Sequence, residues 1–297
     1  MTDTDPHTAD WIADDWGTSH LRLWAMRGAE PLARRDSDSG MASVEPGGFA
    51  DALAAALRGW PDRPVIACGM VGSRQGWVEA PYAAAPTPAR PRLVQVPGRE
   101  VFVIAGVSQI DPPDVMRGEE TQIAGLLAAA PEFDGVICLP GTHTKWARIS
   151  AAEICHFQSF MTGEIFALLS KSSVLRHTVG DGFDADLAAF DTAVADALSR
   201  PQAAYGRLFQ LRAGALVGDL DPALAAARLS GTLIGWELAA AKPYWLGQRV
   251  ALIAAPKLSS LYARALAAQG ADVSEADAEA ATLAGLHAAW KTLKEPR

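Results

Sequence analysis

The feature that most constrains this chain is a strand–turn–strand–strand unit that occurs twice. In the first copy, the apolar start Trp11 to Ala13 runs into Asp14-Asp15-Trp16-Gly17-Thr18. His20 to Met26 then alternates in strand fashion, and Leu32 to Asp36 makes a third strand, with turn residues at Gly17-Thr18-Ser19 and Gly28-Ala29-Glu30-Pro31. In the second copy, Gly135 to Leu139 is an apolar strand and Pro140-Gly141-Thr142-His143 a turn. Thr144 to Ile149 and Ile154 to Met161 complete it. Each Gly-Thr pair stands between an apolar strand and a strand carrying Arg22-Leu23-Trp24 or Lys145-Trp146-Ala147-Arg148. We read this as one unit used twice, 124 residues apart, with chance similarity of a short motif as the competing reading. The alternative at each turn is an ordinary hairpin whose Asp and Thr satisfy local backbone groups.

Between and after the copies, the pattern alternates strand with helix. A helix is expected over Pro46 to Trp60, a buried strand over Pro64 to Cys68, and a strand over Val101 to Ala105. Five prolines between Pro81 and Pro97 predict an extended surface segment. Helices are expected from near Gly118 to Ala130, from about Gly163, and over Asp184 to Leu198, Gln202 to Arg212 and Pro222 to Ala241. Strand Val250 to Ala254, helix Leu258 to Gln269 and a last helix from about Glu275 to Trp290 close the chain. That mixture is an α/β fold. A length of 297 residues with 49% hydrophobic and 20% charged positions excludes a disordered or fibrous chain and suggests two domains. A net charge of −8 without a Lys/Arg cluster speaks against nucleic acid, though not against small anions held by a few N–H groups. No apolar run is long enough for a membrane helix, and Met1 to Asp10 is acidic and polar rather than signal-like. Cys68, Cys138 and Cys155 have no metal-ligand spacing, and their odd number fits a reducing cytoplasm.

The turns carry the chemistry. Glycine lets backbone N–H groups approach an anion without a Cβ in the way, and the neighbouring hydroxyl adds a donor. Two such turns facing each other across a cleft would hold the phosphates of one nucleotide. Asp15 would add a carboxylate for hydrated Mg²⁺. Met116-Arg117-Gly118-Glu119-Glu120-Thr121-Gln122 opens a helix. One of its two glutamates is expected to serve the helix dipole, while transfer of a phosphoryl group to an alcohol needs a carboxylate to take the hydroxyl proton. Gly69-Met70-Val71-Gly72-Ser73-Arg74-Gln75-Gly76-Trp77 follows a strand end, where α/β proteins bind ligands, and matches neither a dinucleotide fingerprint nor a P-loop. Ser73, Arg74 and Trp77 suit a polyhydroxylated acid, with Trp77 as a core residue the competing reading. At Met161-Thr162-Gly163-Glu164, Thr162 is expected to cap the next helix.

Five blocks together resemble the 2-dehydro-3-deoxygalactonokinase family: Asp15 to Ser19, Gly69 to Trp77, Met116 to Gln122, Pro140 to Trp146 and Met161 to Glu164. The resemblance spans nearly the whole chain, in order and spacing. It implies a kinase of the actin, hexokinase and Hsp70 superfamily, with two ribonuclease-H-like domains around a central cleft. The substrate-side domain would be residues 1–130 with the C-terminal helix 275–297, and the nucleotide-side domain 131–274. The implied reaction moves the γ-phosphoryl group of ATP to the 6-hydroxyl of 2-dehydro-3-deoxy-D-galactonate, with Mg²⁺, in galactose or galactonate breakdown. The partners are a small sugar acid and a nucleotide, and a homodimer is the candidate assembly.

By the resemblance, Gly17, Thr18 and Ser19 form the first phosphate loop and Gly141, Thr142 and His143 the second, with Asp15 toward the metal. Glu119 is favoured as catalytic base, with Asp15 and Glu120 as competitors. Gly72, Ser73, Arg74, Trp77, Arg117, Glu120 and Thr162 are the sugar-acid candidates. Two departures stand out. Ala255-Pro256 replaces a glycine turn, so either Pro256 opens the next helix or adenine is held less tightly. Asp14 stands where relatives have an apolar residue, and should be partnered or solvent-facing. A kinase for the gluconate epimer or another sugar acid, and a non-catalytic binding regulator, are the alternative functions.

Overall fold

The computed structural model describes residues 5–179, 186–218 and 220–294. Among them the chain divides into two compact units, the first comprising residues 1–134, 149–157 and 276–297, the second 135–148 and 158–275. Each is built on its own sheet.

The first unit begins with β1 (Trp11–Trp16), β2 (Leu21–Arg27) and β3 (Glu30–Ser37), followed by α1 (Phe49–Ala56) and β4 (Val65–Cys68). Short strands follow: β5 (Ala83–Ala84), β6 (Thr87–Pro88), β7 (Leu93–Gln95), β8 (Val101–Ile104), β9 (Val107–Ile110) and β10 (Pro113–Met116). Helix α2 (Glu119–Ala129) comes next. The main sheet runs β3-β2-β1-β4-β8-β7, with β1 antiparallel to β2 and parallel to β4. Its central strands are covered on both faces, which is why they read as nearly continuous apolar runs. Ile12, Trp16, Leu23 and Ala67 meet Phe49 and Leu53 of α1 on one side. Trp11, Ala13, Trp24 and Ile66 meet Leu286, Ala289 and Trp290 of the C-terminal helix on the other.

The second unit repeats the arrangement. The strands of its sheet are β11 (Gly135–Leu139), β12 (Thr144–Ser150), β13 (Glu153–Phe160), β14 (Arg249–Ala254) and β15 (Asp272–Asp277), of which residues 149–157 and 276–277 count with the first unit. The helices are α3 (Thr162–Ser172), α4 (Leu187–Ser199), α5 (Ala204–Val217), α6 (Pro222–Ala240), the short α7 (Lys242–Trp245) and α8 (Pro256–Ala267). The C-terminal helix of the first unit, α9, covers Ala278–Lys294. Strand order β15-β14-β11-β12-β13 matches β8-β4-β1-β2-β3, and β11 runs parallel to β14 as β1 does to β4. The duplicated unit is therefore structural: both copies of the hairpin begin the central strand of a sheet. Trp146, Val136, Cys138 and Leu252 pack there against Phe190, Ile234 and Tyr262 of α4, α6 and α8.

Several boundaries differ from expectation. The proline-rich stretch is not merely a surface segment, because β5, β6 and β7 lie in it and Ala83, Thr87 and Val96 are buried. Strands β9 and β10 were not anticipated. The first helix shrinks to Phe49–Ala56, since Gly47 and Gly48 precede it and Gly47 has φ +87°. The helix expected over Gln202 to Arg212 runs instead from Ala204 to Val217 after a 3₁₀ turn at Pro201–Ala203. Glu275 belongs to β15, a mostly exposed edge strand without apolar periodicity, and the last helix starts at Ala278. The expected helix start at Asp184 lies outside the described residues; α4 begins at Leu187, capped by the Asp186 carboxylate accepting from the Ala189 N–H.

Candidate functional site

In the first unit, the candidate residues gather where β1 and β4 end. Gly17 closes the β1–β2 turn by donating its N–H to the His20 carbonyl at 2.9 Å. The turn is held from behind by the Met41 and Ala42 N–H groups, which donate to the Gly17 and Thr18 carbonyls. Thr18 and Ser19 are left exposed. Asp15 pairs with Arg22 at 3.1 Å, and the Cys68 thiol lies 3.8 Å from its other oxygen. Burial pushes the Asp15 carboxyl up, and Arg22 works against that. Gly69 follows Cys68 with its Cα close to Gly118, so the glycine loop and the α2 start converge beside Asp15.

Both glutamates at the α2 start are engaged with backbone, rather than one. The Glu119 Oε2 accepts from the Arg117 N–H at 3.0 Å, and the Glu120 Oε2 from the Gly118 N–H at 2.7 Å. Glu120 also accepts from the Thr121 hydroxyl at 3.1 Å. Their surroundings differ. Glu120 is 6% exposed, and burial with Glu119 alongside pushes its carboxyl up to about 8. Glu119 is only half-buried.

Arg117 reaches past Gly72, stacks on Tyr82 at 4.3 Å and donates to the Ala80 carbonyl at 2.9 Å. Ser73 meets the Met41 sulfur at 3.4 Å, and Arg74 is exposed. Trp77 turns to the core, edge-on to Trp16 and stacked on Phe49. It lines a separate groove with Arg63 and Arg99. Asp14 corrects the expectation made for it: it is fully buried, and neither carboxylate oxygen has a partner among the described residues. Its carboxyl is pushed well above the usual range by burial, then by Asp15.

In the second unit, the Gly141-Thr142 turn and the starts of α3 and α8 line one cavity of about 390 Å³. Gly163 has to be glycine, because a Cβ would sit 2.2 Å from the Gly141 carbonyl oxygen. That contact, the Glu164 N–H donating to the Thr142 carbonyl at 2.9 Å and the His143–Glu164 pair at 2.6 Å fasten α3 to the turn. Thr162 does not cap α3; it is the first helical residue, and its hydroxyl donates to Glu237. The Ala255-Pro256 departure resolves the same way as a helix start: Ala255 is extended and Pro256 opens α8. Two helix N-termini thus point their positive ends at one cavity, an arrangement suited to an anion. Phe166, Leu233, Ile234, Leu258 and Leu261 supply an apolar wall suited to a flat ring.

Under that cavity lies a group that sequence reasoning missed. Glu237 is 4% exposed, and accepts from the Trp146 indole at 2.8 Å, the Tyr262 hydroxyl at 2.8 Å and the Thr162 hydroxyl. Tyr262 in turn meets the Thr144 hydroxyl at 3.1 Å. Burial pushes the Glu237 carboxyl up, and these hydrogen bonds hold it back. The available signal was an acidic residue alone in the apolar run Leu233 to Ala241.

A family model described as 2-keto-3-deoxy-galactonokinase matches residues 15–289. A curated relative from Rhizobium meliloti (strain 1021), named "Probable 2-dehydro-3-deoxygalactonokinase DgoK1", is 39% identical over 297 residues, covering 95% of this chain and 97% of that protein. The 2-dehydro-3-deoxygalactonokinase of Escherichia coli (strain K12) is 35% identical over 290 residues, covering 94% and 97%. A crystal structure described as a putative 2-dehydro-3-deoxygalactonokinase protein from Sinorhizobium meliloti superposes with TM-score 0.86 at 37% identity, over 97% of this chain and 98% of that one. The component A of Acidaminococcus fermentans (R)-2-hydroxyglutaryl-CoA dehydratase shares the fold alone, at TM-score 0.56 and 11% identity over 96% and 98%. Among the described residues no helix is long and apolar enough to cross a membrane.

Proposed function

The chain belongs to the 2-keto-3-deoxy-galactonokinase family, and on that premise we propose that it transfers the γ-phosphoryl group of ATP to the 6-hydroxyl of 2-dehydro-3-deoxy-D-galactonate. The observation that carries the nucleotide part is the second unit's cavity, which combines a glycine–threonine turn, two helix N-termini and an apolar wall. Gly141 and Thr142 would meet phosphate there, with His143 behind them in the pair with Glu164. The wall from Phe166 to Leu261 would take the adenine ring.

In the first unit, Gly17, Thr18 and Ser19 are the phosphate-contacting candidates. The sugar acid is assigned to the loop around Gly72, Ser73 and Arg74, and to Arg117. Arg117 fits a carboxylate because its Nε and Nη1 are buried and without partners among the described residues. Glu119 is the proposed base, taking the hydroxyl proton as the alcohol oxygen attacks. Glu120, with its proton held up to about pH 8, is a poor acceptor at neutral pH, and Asp15 is the carboxylate assigned to Mg²⁺.

Asp15, partly exposed at the end of β1, is the carboxylate proposed for an Mg²⁺ ion that arrives with the nucleotide and keeps most of its waters. When bound, such an ion offsets the charge of the phosphates. The reading is tested by a coupled assay with ATP, Mg²⁺ and the keto acid. Glu119→Gln is expected to abolish phosphorylation while both ligands still raise the melting temperature as they do in the wild type. Near-normal turnover of Glu119→Gln would remove it from the base role. Melting shifts without ADP release from the wild type would leave a binding regulator as the function.

A further inference from the structure

We propose that Glu237 is the positioning residue of the second unit's cavity: it touches no ligand itself, but fixes the geometry with which the cavity meets a nucleotide. The proposal rests on the assignment of that cavity to the nucleotide. Its basis is where the four hydrogen-bonded groups come from. Thr144 and Trp146 belong to β12, directly after the Gly141–His143 turn; Thr162 starts α3 next to Gly163; Tyr262 belongs to α8. These are the three elements whose starts or turns line the cavity. The carboxylate joins all three to α6, whose Ser230, Leu233 and Ile234 line the cavity on the helical face that leads down to Glu237.

The chemistry explains why a carboxylate occupies the position. Trp146 Nε1 can only donate, and the Thr162 and Tyr262 hydroxyls each donate to Glu237 here. An acceptor with two oxygens receives all three at one point, with Oε1 for the indole and Oε2 for both hydroxyls. An apolar residue would leave three donors, two of them buried, competing for other partners, and each element would be free to settle elsewhere. Because two of the donors, Thr162 and Tyr262, themselves line the cavity, such a shift is felt at once by the bound nucleotide.

The test separates positioning from general support of the fold. Glu237→Leu is expected to raise the KM for ATP by about tenfold or more, leaving the KM for the sugar acid within about twofold. The melting shift produced by ADP should be lost and that produced by the sugar acid kept. Glu237→Gln should restore ATP KM to within about threefold, because its oxygen can face Trp146 while its amide donates to the two hydroxyls, which reverse roles. Equal rises in both KM values, or a Gln variant as impaired as the Leu variant, would overturn the proposal. If Glu237→Leu does not fold, Tyr262→Phe takes its place, with a several-fold rise in ATP KM alone expected and an unchanged ATP KM overturning it.

Ser230→Trp, which fills the cavity, serves as the control. If it leaves ADP binding intact, the assignment of the cavity to the nucleotide fails and the proposal falls with it. If it abolishes ADP binding while the Glu237 and Tyr262 variants bind normally, the positioning role alone fails.

Discussion

Asp14 occupies the middle of β1, paired across the sheet with Leu23 and Ala67, where both oxygens of its carboxyl group are buried without a protein partner among the described residues. An unpartnered buried carboxyl costs about 1–3 kcal/mol relative to an apolar group of the same shape. Asp14→Val, which conserves the shape and suits a strand, is therefore expected to raise unfolding free energy by about that amount, read from urea denaturation. A loss of stability would mean that the carboxyl has a partner after all. Glu120 gives a prediction in pH rather than in sequence. Its folded-state pKa of about 8 lies above the usual 4.5, so the folded state holds a proton that the unfolded chain releases. Stability is then highest below about pH 4.5 as far as this group is concerned, and is lost as pH rises toward 8. Glu120→Gln, which cannot ionise, should flatten the decline of melting temperature between those two pH values. A decline as steep as that of the wild type would place the proton elsewhere.

At the scale of elements, the helices were legible where an apolar face or a breaker marked them, and the strands where they were central. α2, α6 and β11 stand within a residue or two of their expected limits, because each is bounded by Gly or Pro or begins a continuous apolar run. β9, β10 and β15 were not legible, since short and edge strands expose one side and carry no sustained alternation. The hydrogen bonds of Glu237 were equally out of reach: their partners come from β12, α3 and α8, and only tertiary folding brings those together. The same holds for the crossing of α2 with α9. A Cβ on Gly125 would meet the Ala281 carbonyl oxygen at 1.9 Å, and one on Gly285 the Thr121 carbonyl oxygen at 1.9 Å. Each helix thus needs its glycine so that the partner's backbone can approach, and neither atom in the way is a side chain that could rotate. Gly285→Val should destabilise the first unit by about 3 kcal/mol or more, because it overpacks backbone against backbone and adds a β-branched residue to a helix. Thermal or urea unfolding of the variant checks this, and a near-wild-type midpoint would mean that the helices part at little cost.

At the scale of the whole molecule, the proposed function assigns the nucleotide cavity to one copy of the duplicated topology and the sugar acid to the other. The second unit's cavity is complete within residues of that unit, from Gly141 to Tyr262. Asp15, the Gly69 loop and the α2 start lie together within the first. On the proposed assignment, ADP binding should slow amide exchange at the Gly141–Thr144 turn and at the starts of α3 and α8, which line the cavity. Those segments are held by few backbone bonds outside their own helices, so a ligand that adds contacts there has room to change their opening. The sugar acid alone should instead slow exchange at Gly69 to Ser73 and around Arg117 to Thr121. Exchange measured with each ligand separately distinguishes this from the opposite assignment. Were ADP to protect the Gly69 loop and leave the α3 and α8 starts unchanged, the division of labour between the two copies of the repeat would have to be reversed. Thr162 and Tyr262 would then be linked through Glu237 for stability alone, and the duplicated hairpin would no longer indicate which copy holds the nucleotide.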